Sequence, residues 1–415
     1  MPEYGRGFSS RIKSLWSGEY LINNIIMEKT KVRTDLFEEI TQFVRNQFDE
    51  PDAFIPLHIP RFEGKEKEYV MDAIDSTFVS SVGAYVDKFE EMMCDITGAN
   101  YAVATVNGTS ALHISMILEG VKPGDEVITQ PLTFVATANA ISYTGAKPIF
   151  VDVDRDTMGL SPSKLKRFLT EVLVKKNGTW VNRFTGKQIA ACVPMHTFGL
   201  PARVDDLRAV CDEFAIPLIE DSAESLGSTY KGRHTGRFGT LGVFSFNGNK
   251  TVTAGGGGAI ITDDEDLAKR AKHITTTAKK PHKWEYIHDE IGYNYRMPNL
   301  NAALACAQLE QLNQYLENKR ELARQYREFF RSLDIEFIDE IESAKSNYWL
   351  NAICLEDRNQ RDAFLSYTNE NGVMTRPIWC LMNKLEMFKD CQTGDLSNSD
   401  WLEDRIVNIP SSVRL

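Results

Sequence analysis

Apolar positions along this chain change period several times, and each change predicts an element. From Leu36 to Phe48 they recur at helical spacing (Leu36, Phe37, Ile40, Phe43, Val44, Phe48) with acids between them. That predicts an amphipathic helix capped by Thr34 and broken by Pro51, Pro56 and Pro60. The appendage 1–55, basic and mixed from Arg11 to Trp16, is expected to pack on the main body or on a second subunit. Two helical patterns follow between Glu63 and Ile96, separated by Phe78-Val79-Ser80-Ser81-Val82-Gly83. Short apolar runs then alternate with helical ones. Strands are predicted at Tyr101–Val106, Asp125–Thr129, Pro148–Val153, Ile189–Met195 and Pro217–Glu220. Helices are predicted at Thr109–Leu118, Phe134–Tyr143, Ser163–Val174 and Val204–Phe214, and the polar stretch 177–186 reads as a hairpin or loop. Strands separated by single helices predict βαβ units and a mostly parallel sheet.

Beyond Ile261 the pattern shifts to a helix over Asp263–Ile274 and then to a polar, aromatic, irregular stretch, Thr275–Arg296. A long loop of that kind in a compact protein is usually functional or an interface. A long helix is expected from about Leu300 to Leu333, then a tail with a strand at Tyr348–Leu355 and a helix at Arg358–Asn371. The division predicted is an appendage (1–55), a large α/β domain (56–300), and the long helix with a small α+β domain (301–415).

Composition narrows the function. The 415 residues carry a formal net charge of −11, which argues against nucleic acid or an anionic membrane surface as the main partner. The seven cysteines are scattered, with no CxxC, and read as free thiols of a reducing compartment. No apolar run reaches the roughly 20 residues of a membrane span. The N-terminus lacks a continuous apolar core of signal-peptide type, so a cytoplasmic location is expected. No metal-ligand spacing appears among the seven histidines.

The candidate chemistry lies in three places. In Tyr-Ala-Val-Ala-Thr-Val-Asn-Gly-Thr-Ser-Ala-Leu-His a strand enters a tight turn at Gly108, and a helix opens at Thr109 and Ser110. Free N–H groups and a positive dipole at such a start suit a phosphate, although any βα turn looks similar. In Pro-Leu-Ile-Glu-Asp-Ser-Ala-Glu-Ser a buried strand ends at Asp221, which could pair with a cationic ring nitrogen or simply cap a helix. In Val-Phe-Ser-Phe-Asn-Gly-Asn-Lys-Thr-Val-Thr-Ala-Gly-Gly-Gly-Gly, Lys250 sits in a turn before four glycines, with Ser245 at the strand end upstream. Lys250 reads either as a surface lysine in a glycine-rich hairpin or as a partly desolvated nucleophile. Together a phosphate cradle, a strand-end aspartate and an activated lysine match the needs of pyridoxal phosphate. Lys250 would form the Schiff base, Asp221 would keep the pyridine nitrogen protonated, and Phe134 would stack on the ring.

These motifs resemble the DegT/DnrJ/EryC1/StrS sugar aminotransferases from about Leu57 to the end of the chain. The resemblance rests on Asn-Gly-Thr-Ser-Ala-Leu, Thr-Phe-Val-Ala-Thr-Ala-Asn-Ala, Val-Asp-Val-Asp, Glu-Asp-Ser-Ala-Glu, Phe-Ser-Phe-Asn-Gly-Asn-Lys and Gly-Tyr-Asn-Tyr-Arg-Met-Pro. It implies the type I pyridoxal-phosphate fold, a large mostly parallel seven-stranded sheet domain with a small C-terminal α+β domain. It implies that Thr109, Ser110 and Ser245 hold the phosphate, and that Asn294 reaches the phosphate in the partner subunit's site, making a homodimer with shared sites. Glu224 stands where the family often has Gln or His near the ring, and Gly256 where an acid is common. Within the family the chain is most similar to the LegC-type enzymes of nonulosonic acid and exopolysaccharide pathways, through Pro-Leu-His-Ile-Pro-Arg-Phe, Phe-Val-Ser-Ser-Val-Gly and Arg-Pro-Ile-Trp. A UDP-linked 2-acetamido-4-keto-6-deoxy sugar is then the implied substrate and glutamate the amino donor.

For the nucleotide sugar, His196, His282, Lys283, Trp284, Arg376 and Trp379 are candidates: cations for a diphosphate, rings for sugar or uracil faces. A hydrogen-bonded structural role for His196, and interface or core roles for the others, stand beside that reading. Three rivals remain. Related sugar dehydratases replace the lysine with histidine, whereas Lys250 is present here. A sensor on the same fold would not need the complete set. A dinucleotide oxidoreductase would need G-x-G-x-x-G before a helix, and an apolar strand follows the glycines instead.

Overall fold

The computed structural model describes residues 34–176 and 178–414. The basic segment Arg11 to Trp16 lies outside the described residues.

Seven strands carry the site: β1 (Tyr101–Thr105), β2 (Glu126–Thr129), β3 (Lys147–Phe150), β4 (Ile189–Val193), β5 (Ile219–Asp221), β6 (Leu241–Ser245) and β7 (Gly258–Thr262). They form a four-stranded part, β1-β7-β6-β5, and a three-stranded part, β4-β2-β3. Parallel bridges Cys192↔Leu218 and Met195↔Asp221 join the two into one layer. β2, β3, β4, β5 and β6 run parallel, whereas β7 is antiparallel to both β1 and β6. The reversal has a local cause: β6 reaches β7 through a loop rather than a crossover helix. Helices cover both faces, so β2, β4 and β7 are buried at every position, and β4 reads in the sequence as an unbroken apolar run.

The helix Gly108–Leu118 starts where Asn107 Oδ1 accepts the Ser110 N–H at 2.8 Å. The predicted helix over Ser163–Val174 ends early, at Val172. Its remainder becomes the strand Leu173–Lys176, paired in a hairpin with Thr179–Asn182.

The expected single helix from Leu300 is two, Asn299–Leu309 and Leu312–Ser332. Gln311 causes the break. Its side-chain Nε2 donates to the Ala307 carbonyl, and its backbone N–H reaches only as far as Gln308 O. Past the second helix a four-stranded antiparallel sheet forms in the order Glu336–Phe337, Asn351–Cys354, Ile406–Ile409, Arg376–Pro377. The N-terminal helix 34–48 packs there: Phe37, Ile40 and Val44 are buried against Tyr326, Phe330 and Phe364. No helix among the described residues is long and apolar enough to cross a membrane.

Candidate active site

A cavity of about 340 Å³ opens at the carboxyl ends of β5 and β6. Its floor is built by sequence-local means. Gly108 approaches β6 so closely that a Cβ there would lie 2.9 Å from Ser245 Cβ, so only glycine fits between the helix start and the strand. Thr109 and Ser245 line the cavity at that point, and no acid occupies the first turn of the helix. The result is a cradle of hydroxyls at a helix N-terminus.

Asp221 ends β5 and is 3% exposed. Thr137, from the helix Val135–Tyr143, donates its hydroxyl to Oδ2 at 2.8 Å, and the Ala223 N–H reaches Oδ1 at 3.2 Å. No helix begins at Asp221, so its carboxylate is not a helix cap. Burial pushes its pKa above the usual carboxylate range, opposed by Thr137, Ala223 and the Lys250 charge. Among the described residues it has no ion-pair partner, and a buried carboxylate in that position suits a cationic ligand atom. Phe134 stands at the N-cap of the Val135–Tyr143 helix, half exposed on the cavity wall and 6.3 Å between centroids from Trp379.

Lys250 lies in the loop between β6 and β7. Its Nζ donates to Glu224 Oε1 at 3.1 Å and sits 3.9 Å from the centroid of the Trp349 ring. Glu224 is buried, its Oε2 accepts the Phe198 N–H at 2.9 Å, and burial raises its carboxyl to about 7 against the pull of Lys250. Phe198 adopts φ +57, in the left-handed region that non-glycine residues rarely visit, and this aims its N–H at Glu224.

Trp349 has no counterpart in the reading of the sequence, which ran a strand straight through it. The strand begins only at Asn351. Tyr348 takes φ +45, Asn347 Oδ1 accepts the Trp349 N–H at 2.9 Å, and Asn347 Nδ2 is fixed by the carbonyls of Glu224 and Leu226. The turn swings the indole over Lys250, where its Nε1 donates to Asn249 O at 2.6 Å. A polar side chain two residues before an aromatic was the only signal available. Thr137, Asn247 and Asn249 also line the cavity unforeseen.

The structure therefore brings Gly108, Thr109, Phe134, Asp221, Glu224, Ser245, Lys250 and Trp379 to one cavity. Seven of the expected residues lie elsewhere. Ser110 is buried one step along its helix with its N–H given to the cap. His196 does not face the cavity: Nδ1 accepts the Ala202 N–H at 3.1 Å, and Nε2 binds Glu220 at 3.0 Å. Because Nδ1 is an acceptor, Nε2 carries the proton, and the ring is a buried structural link. Arg376 is on the edge of the small sheet, donating to Asn369 Oδ1. His282, Lys283, Trp284 and Asn294 are exposed on the long loop, outside the lining of this chain's own cavity.

The residues present fit pyridoxal phosphate. A hydroxyl-lined helix start suits its phosphate, an unpaired buried carboxylate its ring nitrogen, a lysine amine its aldehyde, and an aromatic wall its ring.

Comparison with known proteins agrees. A model of the DegT/DnrJ/EryC1/StrS aminotransferase family matches residues 60–415. The chain is 36% identical over 358 residues to the GDP-perosamine synthase of Escherichia coli O157:H7, covering 86% of this chain and 93% of that one. It is 36% identical over 335 residues to EpsN of Bacillus subtilis (strain 168), described provisionally as a pyridoxal phosphate-dependent aminotransferase, covering 80% and 84% of the two chains. Among solved structures it is similar to DesI in the presence of its TDP-sugar product, at 27% identity and a TM-score of 0.75, over 88% of this chain and 91% of that one.

Proposed function

The chain belongs to the DegT/DnrJ/EryC1/StrS aminotransferase family and is a pyridoxal phosphate-dependent aminotransferase acting on a nucleotide sugar; from that premise we propose that it moves the amino group of glutamate to C4 of a nucleotide-linked 4-keto-6-deoxy sugar. The observation that carries this reading is the meeting of Lys250, the unpaired Asp221 and the Gly108–Ser245 cradle in one cavity.

The cofactor supplies an electron sink when bound. Lys250 would hold it through Nζ, Asp221 would keep its ring nitrogen protonated, Thr109 and Ser245 would hold its phosphate, and Phe134 would cover its ring. As a free amine, Lys250 Nζ would take the proton from the α-carbon of glutamate. In the second half-reaction the same amine delivers a proton to sugar C4. Trp349 and Trp379 close the side of the cavity toward the small sheet and exclude water from that amine. The exposed loop carrying Lys283, Trp284 and Asn294 would complete a neighbouring subunit's site in a homodimer.

For the sugar, the likeness of Pro56–Phe62 and 78–83 to LegC-type enzymes supports a UDP-linked 2-acetamido-2,6-dideoxy-4-keto-hexose. The perosamine synthase relative favours a second reading, a GDP-linked 4-keto-6-deoxy sugar. The experiment loads the enzyme with cofactor, adds glutamate and follows absorbance. The lysine-bound band should be lost. Each 4-keto sugar nucleotide is then added separately, and the one that restores the band names the substrate. No band and no response to glutamate would overturn the proposal.

A further inference from the structure

Lys250 can act as a base only as a free amine, yet the cavity is built to receive its ammonium. On one side stands the Glu224 carboxylate at 3.1 Å, with its side chain 1% exposed. On the other lies the Trp349 ring at 3.9 Å. An ammonium held this way is neither nucleophile nor base until something removes its proton, and the lysine side chain is itself only 12% exposed to water. The second oxygen of Glu224 is fixed by the Phe198 N–H, so the first is aimed at Nζ and nowhere else.

We propose that Glu224 is the proton partner of Lys250: it takes a proton from the Lys250 ammonium, releases the free amine for each half-reaction, and returns the proton afterwards. One N–H bond of Nζ breaks and one O–H bond forms on Oε1. An ion pair becomes a neutral acid and a neutral amine, with no change in net charge. A buried ion pair bears a desolvation penalty that the neutral pair escapes, so burial narrows the gap between the two forms. Burial bringing the Glu224 carboxyl to about 7 is consistent with that balance. The charged groups facing it are Lys250, which favours the carboxylate, and Asp221, which disfavours it; the Phe198 N–H also favours the carboxylate. Glu224 acts through Lys250 and is a positioning and proton-holding residue. The inference rests on Lys250 being the cofactor-bearing base.

The test uses the full chain in two states. In cofactor-free wild-type protein, infrared difference spectra across neutral pH should show a buried carboxyl titrating near 7, and Glu224→Gln should remove it. In the loaded enzyme Glu224→Gln should form the lysine-bound band yet react with glutamate about 100-fold more slowly. Its glutamate KM should stay close to wild type, and the pH dependence of the first half-reaction should lose one limb. Glu224→Asp, which keeps a carboxylate, should recover part of the rate. A Glu224→Gln enzyme within about threefold of wild type overturns the proposal, as does a wild-type protein with no carboxyl titrating near neutrality, even if the variant fails to fold. Failure of the wild type to form a lysine-bound band would instead overturn the function proposed above.

Discussion

Two buried carboxylates face one lysine, and the pair Glu224–Lys250 makes stability depend on pH in a definite direction. Burial raises the folded-state pKa of Glu224 to about 7, above the ordinary glutamate value of 4.5. Between those values the folded protein binds a proton that the unfolded chain does not. Its contribution to stability is therefore complete below about pH 4.5 and is lost as pH rises through 7. Glu224→Gln should flatten the fall in unfolding free energy from urea titrations between pH 5 and 7, by up to about 1.4 kcal/mol per pH unit; parallel profiles for variant and wild type would contradict this. Lys250→Ala should abolish turnover while circular dichroism stays native, and measurable turnover would remove Lys250 from its role. At this scale the sequence was legible wherever local chain geometry sets the chemistry. Gly108, Asp221 and Lys250 each sit at a strand end or turn that pattern alone locates. Trp349 and His196 were not, because each depends on a partner distant in sequence: Glu224 and Leu226 fix the turn that aims Trp349, and Glu220 turns His196 inward.

Elements meet behind the cavity at a single buried amine. Lys319, in the helix Leu312–Ser332, is fully buried and donates to Ser411 O at 2.6 Å and Trp349 O at 3.2 Å, with His58 Nε2 at 3.0 Å. It ties the long helix, the segment after the N-terminal helix, the Trp349 turn and the C-terminal segment together. Burial lowers its pKa from 10.5 to about 7. Between those values the unfolded chain binds the extra proton, so this contribution to stability is complete above about pH 10.5 and is lost as pH falls through 7. Lys319→Met removes the titration and leaves two carbonyls without their donor, a cost of about 1–3 kcal/mol for each. The variant should be destabilised, and more so at pH 10 than at pH 7. A pH-independent difference would mean that Lys319 stays charged throughout. Periodicity could not show this joint, since a lysine on a helix reads as solvated surface until three other elements are placed around it. The same limit hid the break at Gln311 and the early end of the helix at Val172, beyond which the chain enters the hairpin: both arise from side-chain and cross-strand bonds that leave the apolar spacing unchanged.

At the scale of the whole molecule, the loop 275–296 presents an apolar surface that the described residues do not cover. Trp284 is 73% exposed, Tyr286 79% and Ile291 85%, and Phe78 and Val82 on the segment before the Ala84–Thr97 helix are also exposed. Exposed large apolar residues grouped on a segment of this kind mark an interaction surface. Asn294 lies on the same loop, exposed and away from its own cavity. The homodimer proposed above would make these facts one: each loop would cover the other subunit's apolar surface and carry Asn294 to the other cavity, with the reciprocal contact guaranteed by symmetry. Light scattering should then give twice the chain mass. Complementation tests the sharing itself. Lys250→Ala and Asn294→Ala should each be weakly active or inactive alone. After dissociation and reassociation of an equal mixture, half the dimers are hybrids, and each hybrid holds one cavity with both Lys250 and Asn294 intact. Activity should return to roughly a quarter of wild type. No recovery, in a mixture shown by mass to contain hybrids, would confine every working residue to one chain and leave the exposed loop to some other partner.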